Sequence, residues 1–331
     1  MILKKESILN MYKNIKLDRG LYSITGKNFT QALAALDPDA EYKGTDMEQL
    51  DAFERQLKRF DIKIAGEGCD RVEKFFTSTE SAVLFPEYVR RQIKSGMDSV
   101  SLVQYAAAVT YTDSVDFRAL SVTSAGSETG VAQLAAMPAT TVKLADTASA
   151  LTKFARRLDC SYEAVRKQRL EAFGVILRSL GAQLSRAVNK KMTDVIYTAS
   201  TKTKYTGTVT YAQLAAFWAS MSSCDMDVML CNPAMMASIL ALDEMKLCVS
   251  DFMSSGKAVT PYGITLVKCP WLKAGTAIGM DSSCGIEAIF GTDVIIDTDK
   301  LISTQCDEIA ASVMCGFSVL TADAVKSLEQ S

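Results

Sequence analysis

The side chains with which this chain could do nucleophilic, acid–base or metal chemistry are cysteines and carboxylates, because it contains no histidine. That absence removes serine–histidine and cysteine–histidine catalysis, histidine general bases and histidine metal ligands. It also removes the side chain that most readily titrates near neutral pH. Enzymes without histidine exist, but the usual catalytic groups are missing, so the composition favours a structural protein.

The nine cysteines are scattered and form no recognisable metal-binding motif. None has the CxxC spacing, and zinc sites that combine cysteine with histidine cannot be built. Their odd number and irregular spacing are also a poor basis for a disulfide framework. Cysteine is readily buried as a small apolar residue, so we expect reduced core thiols, as in a cytosolic protein.

Two short segments place reactive or glycine-rich residues close together, and both are better explained as turns. The segment 279–285 surrounds Cys284 with glycine and serine, but it contains no base and lacks the strand–elbow–helix pattern of a nucleophile. The segment Gly126–Gly130 lacks the lysine and hydroxyl that end a phosphate-binding loop. We therefore predict a tight turn in the first case and a loop in the second.

The carboxylate clusters are equally weak as cation sites. In the cluster of Asp37, Asp39, Glu41 and Asp46, the positions that should supply calcium ligands are occupied by Lys43 and Leu50. This predicts a solvated turn. Asp293, Asp297 and Asp299 are better explained as the polar end of a strand. We predict no metal and no cofactor.

Charge is balanced over the chain and basic in one region. With 36 basic and 38 acidic residues, net charge predicts neither nucleic-acid nor membrane binding. No run approaches the roughly 20 consecutive apolar residues of a membrane span. A nucleic-acid surface would intersperse aromatic residues among the basic ones, and few are present here. We favour ion pairs between subunits, with acidic stretches such as 37–46, for the basic residues Lys153, Arg156, Arg157, Arg166, Lys167, Arg169, Arg178, Arg186, Lys190 and Lys191.

The elements that must position these residues begin with helical pieces. Apolar residues three and four apart predict a helix over Asp46–Phe60, and Pro86 suits the first turn of a helix within Glu80–Met97. Such pieces have few apolar positions and need another surface to pack on. We interpret residues 1–110 as an arm.

The next segment, 111–160, changes character. Small and polar residues over Ser121–Gly130 predict a flexible loop. Extended segments at Thr140–Leu144 and Lys153–Cys160, on either side of residues 146–149, predict a long β-hairpin. Because it is weakly apolar on both faces, this hairpin is expected to lie on another surface.

A long amphipathic helix over Tyr162–Tyr197 is the strongest local prediction. At 1.5 Å per residue it would span about 50 Å. Gly174 and Gly181 each weaken it by about 1 kcal/mol relative to alanine, so packing must compensate. Its apolar positions are Val165, Phe173, Leu177, Leu180, Leu184, Val188, Met192 and Val195.

The remainder predicts a mixed α+β or α/β domain after a linker over Thr198–Thr210. Near-alternation over Ser303–Leu320 predicts a long strand that returns late in the sequence. Between them we predict helices Tyr211–Met221 and Pro233–Leu242, strands Val228–Cys231, Gly263–Cys269 and Ala277–Met280, and a strand pair Ile286–Phe290 and Val294–Asp297.

In this order, the segments resemble the major capsid proteins of tailed bacteriophages, with the Hong Kong 97 type of fold. The resemblance covers about residues 46 to 328 and depends on order and spacing, since no single motif is specific. The segments that carry it are Leu50–Leu57 followed by Leu84–Val89, similar to the family's N-terminal arm; Ser161–Arg166 and Leu180–Ala187, similar to its spine helix; Val259–Gly263, similar to its axial-domain turn; and Gly316–Leu320, similar to its peripheral strand.

The resemblance implies an α+β fold and a division of the chain. Residues 1–110 would be the N-terminal arm, 111–160 the extended loop, 161–206 the spine helix of the peripheral domain, 207–296 the axial domain, and 297–331 the returning peripheral strand with the C-terminus.

It further implies a non-enzymatic subunit that assembles with itself into hexamers and pentamers of an icosahedral head around double-stranded DNA, held without sequence specificity. Portal, scaffold, maturation protease and decoration proteins are the other implied partners, with assembly in the host bacterial cytoplasm and final location in the virion. The residues we assign to assembly contacts are Phe85, Pro86, Tyr88, Lys143, Lys153, Phe154, Arg156, Arg157, Arg166 and Arg169.

Two alternatives remain open. An encapsulin-like bacterial nanocompartment shares the fold and holds enzyme cargo instead of DNA. A thiol enzyme built around Cys284 or Cys231 belongs to a different class altogether.

Overall fold

A computed structural model describes residues 11–24, 26–114, 117–125, 130–137, 139–145, 148–301, 303 and 305–331. The chain divides into two compact units, each assembled from three distant segments. The first unit comprises Met1–Val100, Ala155–Ser185 and Val294–Ser312, and the second comprises Ser101–Phe154, Arg186–Asp293 and Val313–Ser331. Among the described residues, no helix is both long and apolar enough to span a membrane.

The first unit is mainly helical. Its short helices begin where side chains cap them: Asp51 accepts from the backbone N–H of Glu54, so the second helix begins after Asp51 and not at Asp46 as the apolar spacing predicts. Single turns of 3-10 helix lie at Met11–Asn14, Arg19–Tyr22, Asp39–Tyr42 and Val72–Phe76. The α-helices are α1 (Phe29–Leu36), α2 (Ala52–Arg59), α3 (Thr79–Ala82), α4 (Leu84–Asp98), α5 (Tyr162–Lys167) and the start of α6 (Leu170–Ala199).

The helical pieces of the first hundred residues pack aromatic side chains against one another and against the long helix. The ring of Phe75 packs 5.7 Å from that of Phe85 and 5.5 Å from that of Tyr88. Phe85 in turn stacks on Phe173 of α6 at 6.3 Å. Other buried apolar side chains of the first unit are Phe29, Leu33, Phe53, Leu84, Val89 and Ile93, while Tyr42 packs in a separate cluster with Tyr12 and Met47.

The long helix is interrupted near its start. The backbone N–H of Val72 donates to the carbonyl of Gln168 at 3.0 Å, and the N–H of Leu170 donates to the carbonyl of Asp70 at 2.8 Å. These bonds draw residues 168 and 169 into an isolated antiparallel bridge with Arg71. The predicted single helix is therefore α5 followed by the 30-residue α6, because pairing with a distant segment competes with the helical hydrogen bonds.

Two glycines allow α4 and α6 to approach at backbone contact. A Cβ at Gly96 would lie 2.6 Å from the Cα of Arg178, and a Cβ at Gly181 would lie 2.9 Å from the carbonyl carbon of Ile93. Real Cβ atoms do not approach so closely, so both positions exclude any side chain. Packing at this helix crossing compensates for the helix stability that Gly181 loses relative to alanine.

The first unit also contains a buried ion pair. Arg55 and Asp37 are both fully buried, with Nε 2.6 Å from Oδ2. The guanidinium also contacts Asp39 at 2.8 Å and lies over the Tyr42 ring at 4.2 Å. Burial alone would lower the pKa of Arg55, but the hydrogen bonds that it donates to Asp37 and Asp39 raise it. The prediction of a solvated acidic turn is thus wrong for Asp37, whose partner lies 18 residues away.

Strands complete the first unit. β10 (Ile295–Leu301) pairs antiparallel with the first part of β11 (Cys306–Val319), from Leu301 opposite Cys306 to Ile295 opposite Ser312. β4 (Thr152–Ser161) also pairs with β11. The predicted hairpin partner of this segment was Thr140–Leu144, so that pairing is wrong. The late strand over Ser303–Leu320 is confirmed.

The hairpin lies in the second unit and is built from other strands. β2 (Leu120–Ala125) pairs antiparallel with β3 (Ala139–Leu144). Within Ser121–Gly130 the structure places a strand where a loop was predicted; residues 126–129, and residues 146 and 147 of the predicted turn, lie outside the described part. Small hydroxylated residues are typical of loops, which is why composition alone suggested a loop here.

The second unit contains a sheet with the strand order β5, β12, β8, β6, β7. Its core includes Leu214, Phe217, Met229, Ile239 and Leu328. The strands are β5 (Thr201–Tyr205), β6 (Val228–Cys231), β7 (Thr265–Lys268), β8 (Thr276–Met280) and β12 (Val325–Gln330), and the helices α7 (Tyr211–Ala219), α8 (Pro233–Leu240), α9 (Asp243–Lys246) and α10 (Val249–Ser255), with 3-10 turns at Val103–Tyr105 and Ala322–Ala324.

Two predictions fail in this unit because strand pairing is a long-range property. The predicted linker over Thr198–Thr210 contains β5, which pairs in parallel with β12 near the C-terminus. The predicted strand pair is also wrong: β9 (Ile286–Phe290) pairs with β1 (Ala108–Tyr111) and with the end of β11. The element positions of α7, β6, α8, β7, β8 and β9 agree with the sequence prediction.

We predict that Gly181→Ala destabilises the chain by about 2 kcal/mol or more, since the clash with backbone outweighs a gain of about 1 kcal/mol in helix propensity. Denaturant unfolding of the unassembled chain measures the change. Gly174→Ala is the matched control in the same helix, because its added Cβ meets the ends of the Gln92 and Tyr88 side chains at 3.0 Å and not backbone. Equal costs for the two variants would contradict the assigned role of the crossing.

Replacing Arg55 by methionine should cost about 3 to 5 kcal/mol, because it leaves the Asp37 carboxylate buried without its cation. Arg71→Met is the control: its pair with Glu73 spans 3.7 Å and both side chains are more than half exposed, so the cost should stay within about 1 kcal/mol. Urea unfolding of both variants tests the difference. A change below about 1 kcal/mol for the Arg55 variant would refute the argument.

Candidate assembly surfaces

The predicted assembly residues fall into buried and exposed groups. Phe85 and Tyr88 are buried in the core of the first unit. The Tyr88 hydroxyl donates to the carbonyl of Leu170 at 2.6 Å, and burial raises the pKa of this phenol. These contacts within the chain bury both side chains in the subunit, and their assignment to assembly contacts stays a prediction.

Pro86 lies at the edge of a cavity of about 600 Å³ in the first unit. Aromatic rings and acidic residues line it together, and the Tyr22 hydroxyl donates to the carbonyl of Val83 at 2.8 Å. Such a recess can accept an apolar group that carries a positive charge. The lining residues include Arg19, Tyr22, Phe76, Phe85, Pro86, Asp299, Asp307 and Glu308.

The basic residues of β4 are exposed on its surface. Lys153, Arg156 and Arg157 are exposed, and Phe154 is half-buried. Arg157 pairs within the chain, with Asp159 at 2.9 Å and Glu308 at 3.2 Å. Pairs as exposed as Arg157–Asp159 contribute little to stability, so they can be exchanged for contacts with a neighbour.

Arg166 and Arg169, the predicted assembly residues near the start of the long helix, are also exposed. The Arg166 guanidinium lies 5.4 Å from the Tyr162 ring centre and 5.9 Å from that of Phe76. Arg169 occupies the interruption between α5 and α6, where its backbone forms a bridge with Arg71. Of the acidic partners expected for such residues, Asp37 is unavailable because it is buried with Arg55.

The β2–β3 hairpin exposes an unusual amount of apolar surface. Every residue of β3 is exposed, including Lys143, and the side chains of Val142 and Leu144 are more than half exposed. In the connection between the strands, Leu134 is fully exposed and Met137 is 83% exposed. A soluble monomer has little reason to place large apolar side chains in water at one site, which indicates a contact surface.

Sequence reasoning missed Leu134 and Met137. The sequence feature that could have identified them is their isolation as large apolar residues within a stretch of alanine, glycine and hydroxylated residues. Only the hairpin pairing shows that this stretch has no core beneath it.

A second exposed apolar surface lies at α9 and α10. Leu247 is 84% exposed and Met253 is 83% exposed, and about half of Val249 is exposed between them. No sequence pattern predicted α10, which ends at Gly256 with a positive φ of 67°. A left-handed residue at this position terminates the helix, and glycine adopts it at little cost.

Three buried thiols of the second unit have raised pKa values. Burial raises the pKa of Cys269 and of Cys315 to about 12, and it raises that of Cys231 further. Burial, followed by the neighbouring Cys224 and Asp281, raises the pKa of Cys284. Since the thiolate is the reactive form, this burial makes Cys231, Cys269 and Cys315 poor nucleophiles near neutral pH. None of the nine cysteines forms a disulfide.

Comparison with known proteins identifies the fold. The chain is similar to a virus-like particle protein from Pyrococcus furiosus, with a TM-score of 0.51 and 13% identity over 73% of this chain and 98% of that one. It is similar to a protein of Microbacterium phage Oxtober96, with a TM-score of 0.50 and 9% identity over 70% of this chain and 91% of that one. The α+β architecture is thus the Hong Kong 97 type expected from the sequence resemblance. No curated protein sequence matches the chain.

A family description connects this fold to a class of proteins. The model of the phage capsid protein family matches residues 144–325. This range includes the basic strand β4, the whole of α6 and four strands of the second unit's sheet, but only the first residue of the fifth, β12. Because the match spans more than half of the 331 residues, the chain belongs to the phage capsid protein family.

Proposed function

We propose that this major capsid protein assembles into hexamers and pentamers that close an icosahedral head around the double-stranded DNA of a tailed phage. The observation that carries the proposal is the β2–β3 hairpin, in which the described side chains of Leu134, Met137, Val142 and Leu144 are exposed. A closed shell built from repeated copies would cover that surface, and symmetric closure needs repeated contacts instead of an active site.

Other exposed residues extend the proposed contact surface. Lys153, Arg156, Arg166 and Arg169 present positive charge that neighbouring copies can pair, and Lys143 does so on the hairpin itself. Pro86 forms part of a recess in which an apolar basic group fits. These assignments, like the division into arm, extended loop, spine helix, axial and peripheral parts, belong to the proposal.

The proposal extends to the content and partners of the shell. The interior of a head must tolerate packaged DNA without binding it tightly, and a net charge of −2 is compatible with that. Assembly in the cytoplasm of a host bacterium, with a portal, a scaffold or maturation protease and decoration proteins, completes the proposed pathway. A nanocompartment with protein cargo is the second candidate, for which the likeness to the virus-like particle protein supports only the shared fold.

Placing a negative charge on the exposed hairpin should block shell formation without unfolding the chain. We expect Met137→Asp to reduce the yield of closed particles at least tenfold, because the aspartate would have to be buried between copies. Gln133→Asp is the matched control, since it adds the same charge at an exposed polar position of the same segment. Electron microscopy and size-exclusion chromatography measure assembly, and circular dichroism monitors the fold. Normal shells from the Met137 variant would refute the proposed contact.

Isolated subunits should bind double-stranded DNA only weakly, with a Kd no tighter than about 10⁻⁶ M at physiological salt. Fluorescence anisotropy with a labelled duplex, repeated over a range of salt concentrations, measures this. Tight binding with a steep salt dependence would contradict the proposal that the inner surface of the shell binds DNA weakly. Particles that protect DNA from nuclease support a phage head, and particles that carry only a protein cargo support the nanocompartment.

A further inference from the structure

Three potential metal ligands converge in the second unit from two separate turns. Cys224 lies in the turn after α7, while Asp281 and Cys284 lie in the turn after β8. The two sulfur atoms are 3.7 Å apart. One ligand atom from each of the three residues lies within 4.8 Å of the other two. The carboxylate is buried and both thiols are half-buried, so the cluster is open to a small ion from solvent.

The sulfur separation fits a bound cation better than a disulfide. A tetrahedral zinc with Zn–S bonds of about 2.3 Å places two sulfurs about 3.8 Å apart. A disulfide bond of about 2.05 Å would require the sulfurs to approach by a further ~1.7 Å. Since the two thiols belong to different turns, that approach would also pull the turns together, whereas a cation fits between them as they stand.

The carboxylate is already oriented by the surrounding backbone. Oδ1 of Asp281 accepts hydrogen bonds from the backbone N–H and the hydroxyl of Ser283, at 2.8 and 2.6 Å, and Oδ2 accepts one from the N–H of Asp225 at 3.0 Å. The Cys284 thiol also hydrogen-bonds to this carboxylate, and a bound cation would take the place of the thiol proton. Bonds of this kind orient metal ligands in known sites.

We propose that Cys224, Asp281 and Cys284 bind one soft divalent cation of the zinc type, with water or another ligand in the fourth position. Two thiolates favour such an ion over magnesium or calcium, which prefer oxygen ligands alone. Each thiol releases its proton to solvent as the metal–sulfur bond forms, so two protons leave per ion. The ion would link the turn after α7 to the turn after β8 and so stabilise the second unit. The proposal does not depend on the proposed shell.

Cadmium titration of the reduced full-length chain tests the site, because cadmium–thiolate bonds absorb in the ultraviolet. We expect one cadmium per chain at this site, its loss in Cys224→Ser and in Cys284→Ser, and at least tenfold weaker binding in Asp281→Asn. Cys306→Ser, which changes a half-buried thiol of the first unit, should retain the ion. Added zinc should raise the Tm by a few degrees, and a chelator should reverse the rise.

A second measurement keeps the test independent of how the variants fold. In the wild-type chain, zinc should slow alkylation of Cys224 and Cys284 at least tenfold without protecting Cys306, as read by peptide mass spectrometry. Unchanged alkylation, or retention of the cadmium band in the double variant of Cys224 and Cys284, would overturn the proposal. A disulfide between these two cysteines in purified particles would also overturn it.

Discussion

The first unit depends on one contact, the crossing of α4 and α6 at which two backbones touch. Gly96 and Gly181 leave no room for a side chain between the helices. This separation brings the Tyr88 hydroxyl within reach of the Leu170 carbonyl and allows Phe85 to stack on Phe173. A glycine weakens a helix taken alone, so its presence in the middle of α6 makes sense only through the partner helix.

Charged groups are divided between two roles. Arg55 and Asp37 are fully buried and fix the loop between α1 and α2, where removal of either partner would leave an uncompensated charge. The basic residues of β4 and of the start of the long helix are exposed, and the exposed pair of Arg157 with Asp159 contributes little to stability. The same residue types therefore stabilise the subunit in one place and are proposed to contact neighbouring copies in another.

The exposed hairpin shows how a capsid subunit differs from an ordinary globular protein. Its strands satisfy each other's backbone groups, but its large side chains find no cover within the described part of the chain. Exposed apolar side chains of this kind are unfavourable in an isolated monomer. In a repeated assembly, the next copy would cover them. The low reactivity of the buried thiols fits a protein whose work is contact between copies.

The sequence by itself determined the local elements and the family. The positions of α7, β6, β9 and β11 follow from periodicity and breakers, because these signals act over a few residues. The order of the segments, with no histidine to support the usual catalysis, was enough to indicate a capsid protein.

Only the tertiary structure decided which elements pair and which polar groups meet. The sequence predicted the wrong hairpin partner for β3 and a linker in place of β5. It did not predict the interruption before α6 or the ion pair of Arg55 with Asp37. Cys224 and Cys284 are 60 residues apart in sequence and 3.7 Å apart at their sulfurs. Contacts at such separations depend on the packing of whole elements against one another, and no local pattern of residues encodes that packing.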